Sequence, residues 1–437
     1  MITAMAQSTL SKFVWWVFDR SLNQNLEQYL EDYISTDRGL EDDDARDIAV
    51  VLQQRSRGII EYMVSRDSPR TLVILKMIGM PDLSDKFLNA GVTDMWYPFD
   101  DYLLRQIISD KETRRLFLEK QNLVLSRHMS PDPDRHQHLL HGDDHFEEKK
   151  ILGSGGFGLV SDCHDILNNR QVARKLIPRG RTISRRQAAI SADAFANELA
   201  ILRRVSARNL PHLVTVVGSY TDPTYFGILS TPVADMDLGK YLEVRLFNNS
   251  HKKWYGCLAS ALCFLHGMKI RHKDIKPRNI LIYKDDVLLA DFGISYDWTD
   301  RSGPTTSGRP VARDPRYCAP EVDGWESRNE SADVWSLGCV YLEMWSAFSG
   351  FEIESIRQHF RENGSRSDIY CKNREALLSW MAEVRGRHHM QGLSQWISQM
   401  LKEHSNERIS AAGLRDRIRL QAPYYVGLMG CRCGDDL

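Results

Sequence analysis

Residues 151–160 read Ile-Leu-Gly-Ser-Gly-Gly-Phe-Gly-Leu-Val, four glycines between apolar flanks. Glycine lets a backbone come close to phosphate oxygens and adopt dihedrals that a Cβ forbids. Ile151, Leu152, Gly153, Ser154, Gly155, Gly156, Phe157, Gly158 and Val160 therefore form a candidate phosphate cradle. Such a glycine pattern alone also suits dinucleotide folds and ordinary turns. Here Phe157 can close a hairpin tip, and no helix-like run follows at once, which disfavours the dinucleotide arrangement. Val172-Ala173-Arg174-Lys175 comes next on a strand-like stretch, so that Lys175 can reach the α- and β-phosphates of a nucleotide. That lysine needs an acid to hold it, and Glu198 on the amphipathic run Phe195–Leu202 is the candidate. The basic stretch between them, 179–186, reads as a solvated loop.

A second group lies further on: Arg-His-Lys-Asp-Ile-Lys-Pro-Arg-Asn at 271–279, then Asp291-Phe292-Gly293, Ala319-Pro320-Glu321 and a run from Asp333 reading DVWSLG. With the glycine loop and the Lys175 strand these occur in a fixed order, and the segment 146–420 resembles a eukaryotic protein kinase domain of serine/threonine type. The resemblance implies ATP and Mg²⁺ as cofactors. It makes Asp274 the group that accepts or orients the substrate hydroxyl proton, and Lys276 the cation that neutralises the transferring phosphate. Asn279 and Asp291 would hold Mg²⁺, a hard ion that prefers oxygen ligands. Ser230 takes the gatekeeper position, with the Thr231 carbonyl and Val233 amide meeting adenine and Ala173 beside it. Asp333 would support the backbone of the Asp274 loop, and Arg408 would pair with Glu321.

These last elements imply a protein substrate and disfavour a small-molecule kinase, and Lys276 in D-x-K-x-x-N implies serine or threonine hydroxyls. Two residues depart from the pattern. Lys273 stands where the family has an arginine that clamps a phosphorylated activation segment, and lysine offers only a point contact. Asp314 stands where a threonine usually bridges the catalytic aspartate and lysine, and it brings a like charge near Asp274. Thr299, Ser302, Thr305, Thr306 and Ser307 are candidate phosphosites. The alternative reading is a pseudokinase-type binding scaffold.

The implied architecture is α+β: a bilobal protein kinase fold, small β-rich N-lobe and large helical C-lobe, preceded by an all-α N-terminal domain. The expected divisions are 1–126 helical, 127–145 a linker, 146–420 the kinase domain and 421–437 a tail. Asp42-Asp43-Asp44 ahead of helically spaced apolar residues marks one early helix. Ser68-Pro69 offers an N-cap and N1 proline for another that Gly79 stops, and Asp82 to Ala90 makes a third closed by Gly91. Residues 127–145, with five histidines, read as solvated. This helical region is expected to be either a regulatory or docking element for a protein partner or a domain that buttresses its neighbour, and the combination resembles orphan kinases of filamentous fungi.

The 437 residues carry 57 Lys+Arg against 58 Asp+Glu, so no net field points to nucleic acid or an anionic membrane. The early apolar run Phe13–Phe18 is too short for the ~20 residues of a spanning helix, so no membrane insertion is expected. The eight cysteines show no C-x2-C spacing and read as reduced thiols of an intracellular protein, cytoplasmic or nuclear.

Overall fold

The computed structural model describes residues 68–126, 129, 132–155, 158–179, 185–245, 247, 249–299, 314–387 and 391–421. The Phe13–Phe18 run, the Asp42–Asp44 helix, Gly156, Phe157, Ser302, Thr305, Thr306, Ser307 and the tail cysteines lie outside them. The chain divides into two units, one holding Met1–Asp193 with Val217–Leu229, the other Ala194–Val216 with Ser230–Leu437.

The first unit begins with short helices, α1 (Pro69–Met77), α2 (Ser84–Ala90), α3 (Asp101–Arg105) and α4 (Lys111–Lys120). Gly79 at φ 71° and Gly91 at φ 62° end the first two in the left-handed region, as their positions in the sequence suggest. The expected cap at Ser68 is not made: its hydroxyl donates to Val92 O instead, at 3.4 Å. The open N–H groups of α1 are met by Asp94, whose carboxylate accepts from Arg70 N at 2.6 Å, Thr71 N at 3.1 Å and Thr71 Oγ1 at 2.9 Å. Tyr97, Phe99, Phe87 and Phe117 pack beneath as mutually tilted and stacked rings.

A six-stranded sheet follows in the order β1-β5-β6-β4-β3-β2. Its strands are β1 (His136–His138), β2 (Phe146–Gly155), β3 (Gly158–Asp165), β4 (Arg170–Pro178), β5 (Thr215–Thr221) and β6 (Tyr225–Thr231). The histidine-dense stretch expected to be solvated therefore supplies an edge strand, parallel to β5 with His136 opposite Ser219. Both of its histidines are buried. The His136 ring finds partners that the sequence pattern does not reveal, Ser219 Oγ at 3.0 Å and Thr221 Oγ1 on the neighbouring strand. Met129 and Leu139 join Phe146, Cys163, Val172, Leu176, Tyr220 and Leu229 in the sheet's core. Arg179, expected in a solvated loop, is buried too, donating to the carbonyls of Trp96, Pro98 and Asp222.

The second unit is mainly helical. After α5 (Arg185–Ser206), which enters from the first unit, come α6 (Leu238–Val244), α7 (Trp254–Gly267), α8 (Pro320–Asp323), α9 (Ser331–Phe348), α10 (Ile353–Asn363), α11 (Arg374–Arg387), α12 (Gln391–Met400) and α13 (Ala411–Gln421). Helices α7 and α9 are apolar almost all round and form the centre, the pattern of helices enclosed on every side. Three small strands, β7 (Met236–Asp237), β9 (Ile280–Tyr283) and β10 (Asp286–Leu289), form one antiparallel sheet, and β8 (Ile270–Arg271) pairs with β11 (Tyr296–Asp297). No helix among the described residues is long and apolar enough to cross a membrane. A β-sheet unit followed by a helical unit, with helices ahead of both, is the fold class expected from the sequence.

Candidate active site

In the first unit, the glycine loop is the turn between β2 and β3, whose register brings Gly155 opposite Gly158. Gly158 is obligatory: it sits at φ 124°, and a Cβ there would lie 2.2 Å from Leu176 O. Gly153 and Gly155 have open space where a Cβ would go, so no neighbouring protein atom requires their small size. Strand alternation sorts the other candidates. Cys163, Val172 and Leu176 point into the core, whereas Val160 pairs with Lys175 and Asp162 with Ala173 on the opposite, half-exposed face. Val160, Ala173 and Lys175 thus share one side of the sheet. Arg174 points to the other side, ion-paired with Asp143 at 2.8 Å and stacked over Phe146.

In the second unit, the loop between β8 and β9 carries the second group. Asp274 is buried, and one carboxylate oxygen is held between Lys276 Nζ at 2.7 Å and Asn279 Nδ2 at 2.9 Å. Asn279 Nδ2 also donates to the Asp274 carbonyl at 2.8 Å. The amide nitrogen of Asn279 is thereby committed to Asp274, which leaves its oxygen as the atom a hard cation would meet. Asp291 follows β10 in the left-handed region, at φ 66°. A β-carbon residue rarely adopts that conformation, and such strain concentrates where a side chain must be aimed. Ala290 N donates to Asn279 O at 2.9 Å, joining the two candidate metal ligands through one backbone bond.

The loop itself is set from below. Asp333, at the start of α9, accepts His272 N and Lys273 N, both at 2.8 Å, and His266 Nε2 at 3.1 Å. Burial would raise the Asp333 pKa, yet the His266 hydrogen bond and the nearby cations hold it below the usual carboxylate value. His272 is fully buried, bonded to Ala290 O at 3.0 Å and packed 5.2 Å from the Phe292 ring. Lys273 occupies φ 70° with its ammonium partly buried; burial, then repulsion from Arg271, brings its pKa down to about 8. Asp314 accepts from Arg316 N at 3.0 Å and so closes its own turn.

Glu198 is buried on α5. The same helix is fastened to the segment beyond Asp291 by Asn197 Nδ2 to Ser295 O at 3.2 Å and by Arg204, which meets Asp297 and the Met268 carbonyl. Sequence reasoning did not single out Asn197 or Arg204, although Arg204 lies two helical turns beyond Glu198 on a helix already identified. Arg408 makes a buried two-pronged pair with Glu321, at 2.6 and 2.7 Å. Tyr317 Oη and Tyr370 Oη both donate to buried Glu343, at 2.9 and 2.8 Å. Thr231 and Val233 are half-buried at and just beyond the end of β6. Gly156 and Phe157 have no described position.

Residues 146–417 match the family model of the protein kinase domain. The serine/threonine-protein kinase fused of Drosophila melanogaster is 32% identical over 214 residues, which cover 47% of this chain and 24% of that protein. The cAMP-dependent protein kinase catalytic subunit 3 of the same organism is 29% identical over 211 residues, 48% of this chain and 34% of the relative. A probable cell division protein kinase of Encephalitozoon cuniculi is 32% identical over 245 residues, 54% of this chain and 86% of the relative. The chain therefore spans about a quarter and a third of the length of the first two.

Proposed function

The chain belongs to the protein kinase family, and from that premise we propose that it transfers the γ-phosphate of ATP, with Mg²⁺, to serine or threonine hydroxyls of protein substrates. The observation that carries the proposal is the Asp274 carboxylate, fixed by Lys276 and Asn279 on a loop anchored to Asp333. Mg-ATP supplies a phosphoryl group whose transfer passes through a loose transition state, so the protein's part is positioning and charge. Asp274 orients the attacking hydroxyl and takes its proton. Lys276, already within reach of Asp274, balances charge on the transferring group. Asn279 and Asp291 offer oxygen donors that suit a hard divalent cation. Lys175, Val160 and Ala173 share the sheet face that would meet the nucleotide, below the glycine loop. Thr231 and Val233 would take the adenine, and Glu198 would hold Lys175.

The serine/threonine assignment is supported by the position of Lys276 and by the relative named as a serine/threonine-protein kinase above. The helical region before the sheet would serve a protein partner as a docking or regulatory surface, and reduced thiols suit an intracellular setting. The test is radiolabel transfer from Mg-ATP to the chain itself or a generic substrate. Wild type is expected to incorporate label and Asp274→Asn to lose it by about 10²-fold or more. Equal signals from the two proteins would sink the proposal. Mg-ATP that raises the melting temperature without any transfer would favour the scaffold reading instead.

A further inference from the structure

Cys318 precedes the Ala319-Pro320-Glu321 motif, and Cys371 lies on the short turn Tyr370–Lys372 that follows α10. The two strands of chain run as paired neighbours. Tyr317 and Tyr370, one residue before each cysteine, pack with tilted rings 5.7 Å apart and share Glu343. The cysteines come next, and the end of α8 brings Asp323 to them, with Cys318 Sγ 4.0 Å from Asp323 Oδ1. One ligand atom each from Cys318, Asp323 and Cys371 lies within 4.8 Å of the others.

We propose that Cys318, Cys371 and Asp323 bind a thiophilic divalent cation of the zinc class. Metal–sulfur bonds of ~2.3 Å and metal–oxygen bonds of ~2.1 Å at tetrahedral angles place sulfur and oxygen about 3.6 Å apart, and two sulfurs about 3.8 Å apart. With all three atoms within 4.8 Å of one another, the spacing needs a contraction of at most about 1.2 Å. Two thiolates select borderline-soft ions over Mg²⁺ or Ca²⁺, while a carboxylate is an ordinary third ligand. Three negative ligands are partly balanced by Lys372, whose Nζ is 3.5 Å from the other oxygen of Asp323. The remaining charge is that of a divalent cation's counterpart. Cys318 is buried and Asp323 is 30% exposed, so the set has a dry side and an open side where water completes the coordination. A bound ion would tie the end of the activation segment to the Tyr370 turn, beside the Glu343 link.

The assignment does not depend on phosphotransfer, and an inactive chain tests it equally. The full chain carrying Cys431→Ser and Cys433→Ser, which silences the tail thiols, is stripped with chelator and kept in a phosphine reductant. It is expected to take up a single equivalent of Co²⁺ with a near-ultraviolet thiolate band, to release it to Zn²⁺, and to melt at higher temperature with either. Cys318→Ser and Cys371→Ser should each weaken uptake roughly tenfold or more and diminish the band, and Cys263→Ser should leave both unchanged. Asp323→Asn should weaken affinity and keep the thiolate band. A folded parent chain that shows no stoichiometric band overturns the proposal whatever the variants do. So does a band that survives Cys318→Ser with Cys371→Ser, an affinity unmoved by Asp323→Asn, or a Cys318–Cys371 disulfide formed on oxidation without metal uptake in reductant.

Discussion

At the scale of single residues, Lys273 and Asp314 are the two positions where the chain leaves its family's pattern, and they behave differently. Asp314 accepts from Arg316 N and so has a local partner within its own turn. Lys273 sits partly buried among Arg271, Arg328 and Asp333 with its pKa brought down to about 8. In the unfolded chain the same ammonium titrates near 10.4. Below about pH 8 it is charged in both states and the fold bears the full cost of holding it; that cost fades as pH rises from about 8 past 10. Lys273→Met should therefore stabilise the protein at pH 7 by roughly 1–2 kcal/mol, allowing for solvent screening. The gain should shrink at pH 9.5, as read by paired denaturant melts. An unchanged or growing gain would contradict the buried-ammonium account. Residues such as Asp274, Lys276 and Asn279 were legible because they fall within one short loop and their spacing survives in linear order. The Cys318, Asp323 and Cys371 grouping was not, because two of its members meet only when separate segments are packed side by side.

At the scale of elements, the first two helices and their glycine stops followed from the sequence, but the N-cap at Ser68 did not. Ser68 had the right type and place for an N-cap, yet Asp94, far along the chain, is the residue that accepts from the first turn. Local rules describe a helix end in isolation, and a buried end is open to a stronger acceptor from elsewhere in the chain. Asp94 is itself under tension: burial raises its pKa to about 6, against the lowering effect of Arg70 and the N–H bonds it accepts. A folded-state pKa above the unfolded one means that its contribution is complete below about pH 4 and declines as pH rises through 6. Asp94→Ala takes away the acceptor of two N–H groups of α1 and one acceptor of the Thr71 hydroxyl, and should cost about 2 kcal/mol at pH 7. The deficit should be larger at pH 4.5 than at pH 7. A deficit that is constant with pH would contradict a raised Asp94 pKa in the folded protein.

At the scale of the whole molecule, the family match begins at Phe146, but the first unit's sheet does not. Strand β1 supplies its edge, Leu139 N donates to Thr221 O at 2.8 Å, and Met129 and Leu139 lie in the same core as Phe146, Val172 and Leu229. Nothing in His136-Gln137-His138 alternates between apolar and polar, and three residues are too few for a periodic signal, which is why the stretch read as linker. Arg179 adds a second tie, its guanidinium shared between carbonyls of Trp96 and Pro98 on one side and Asp222 on the other. A chain begun at Phe146 would expose the β5 edge, strip two apolar side chains from the core and leave Arg179 with one of its three carbonyls. Loss of each buried Leu or Met side chain costs about 2–5 kcal/mol, comparable with the ~5–15 kcal/mol that holds a whole domain. The shortened chain should thus unfold at markedly lower denaturant than the full one and aggregate through the uncovered strand. In the full chain, Leu139→Ala should reproduce part of the loss, with the amides of β5 exchanging faster. If both proteins keep the parent's midpoint, the stretch from Met129 to Leu139 is an ornament on a self-sufficient sheet and not part of its structure.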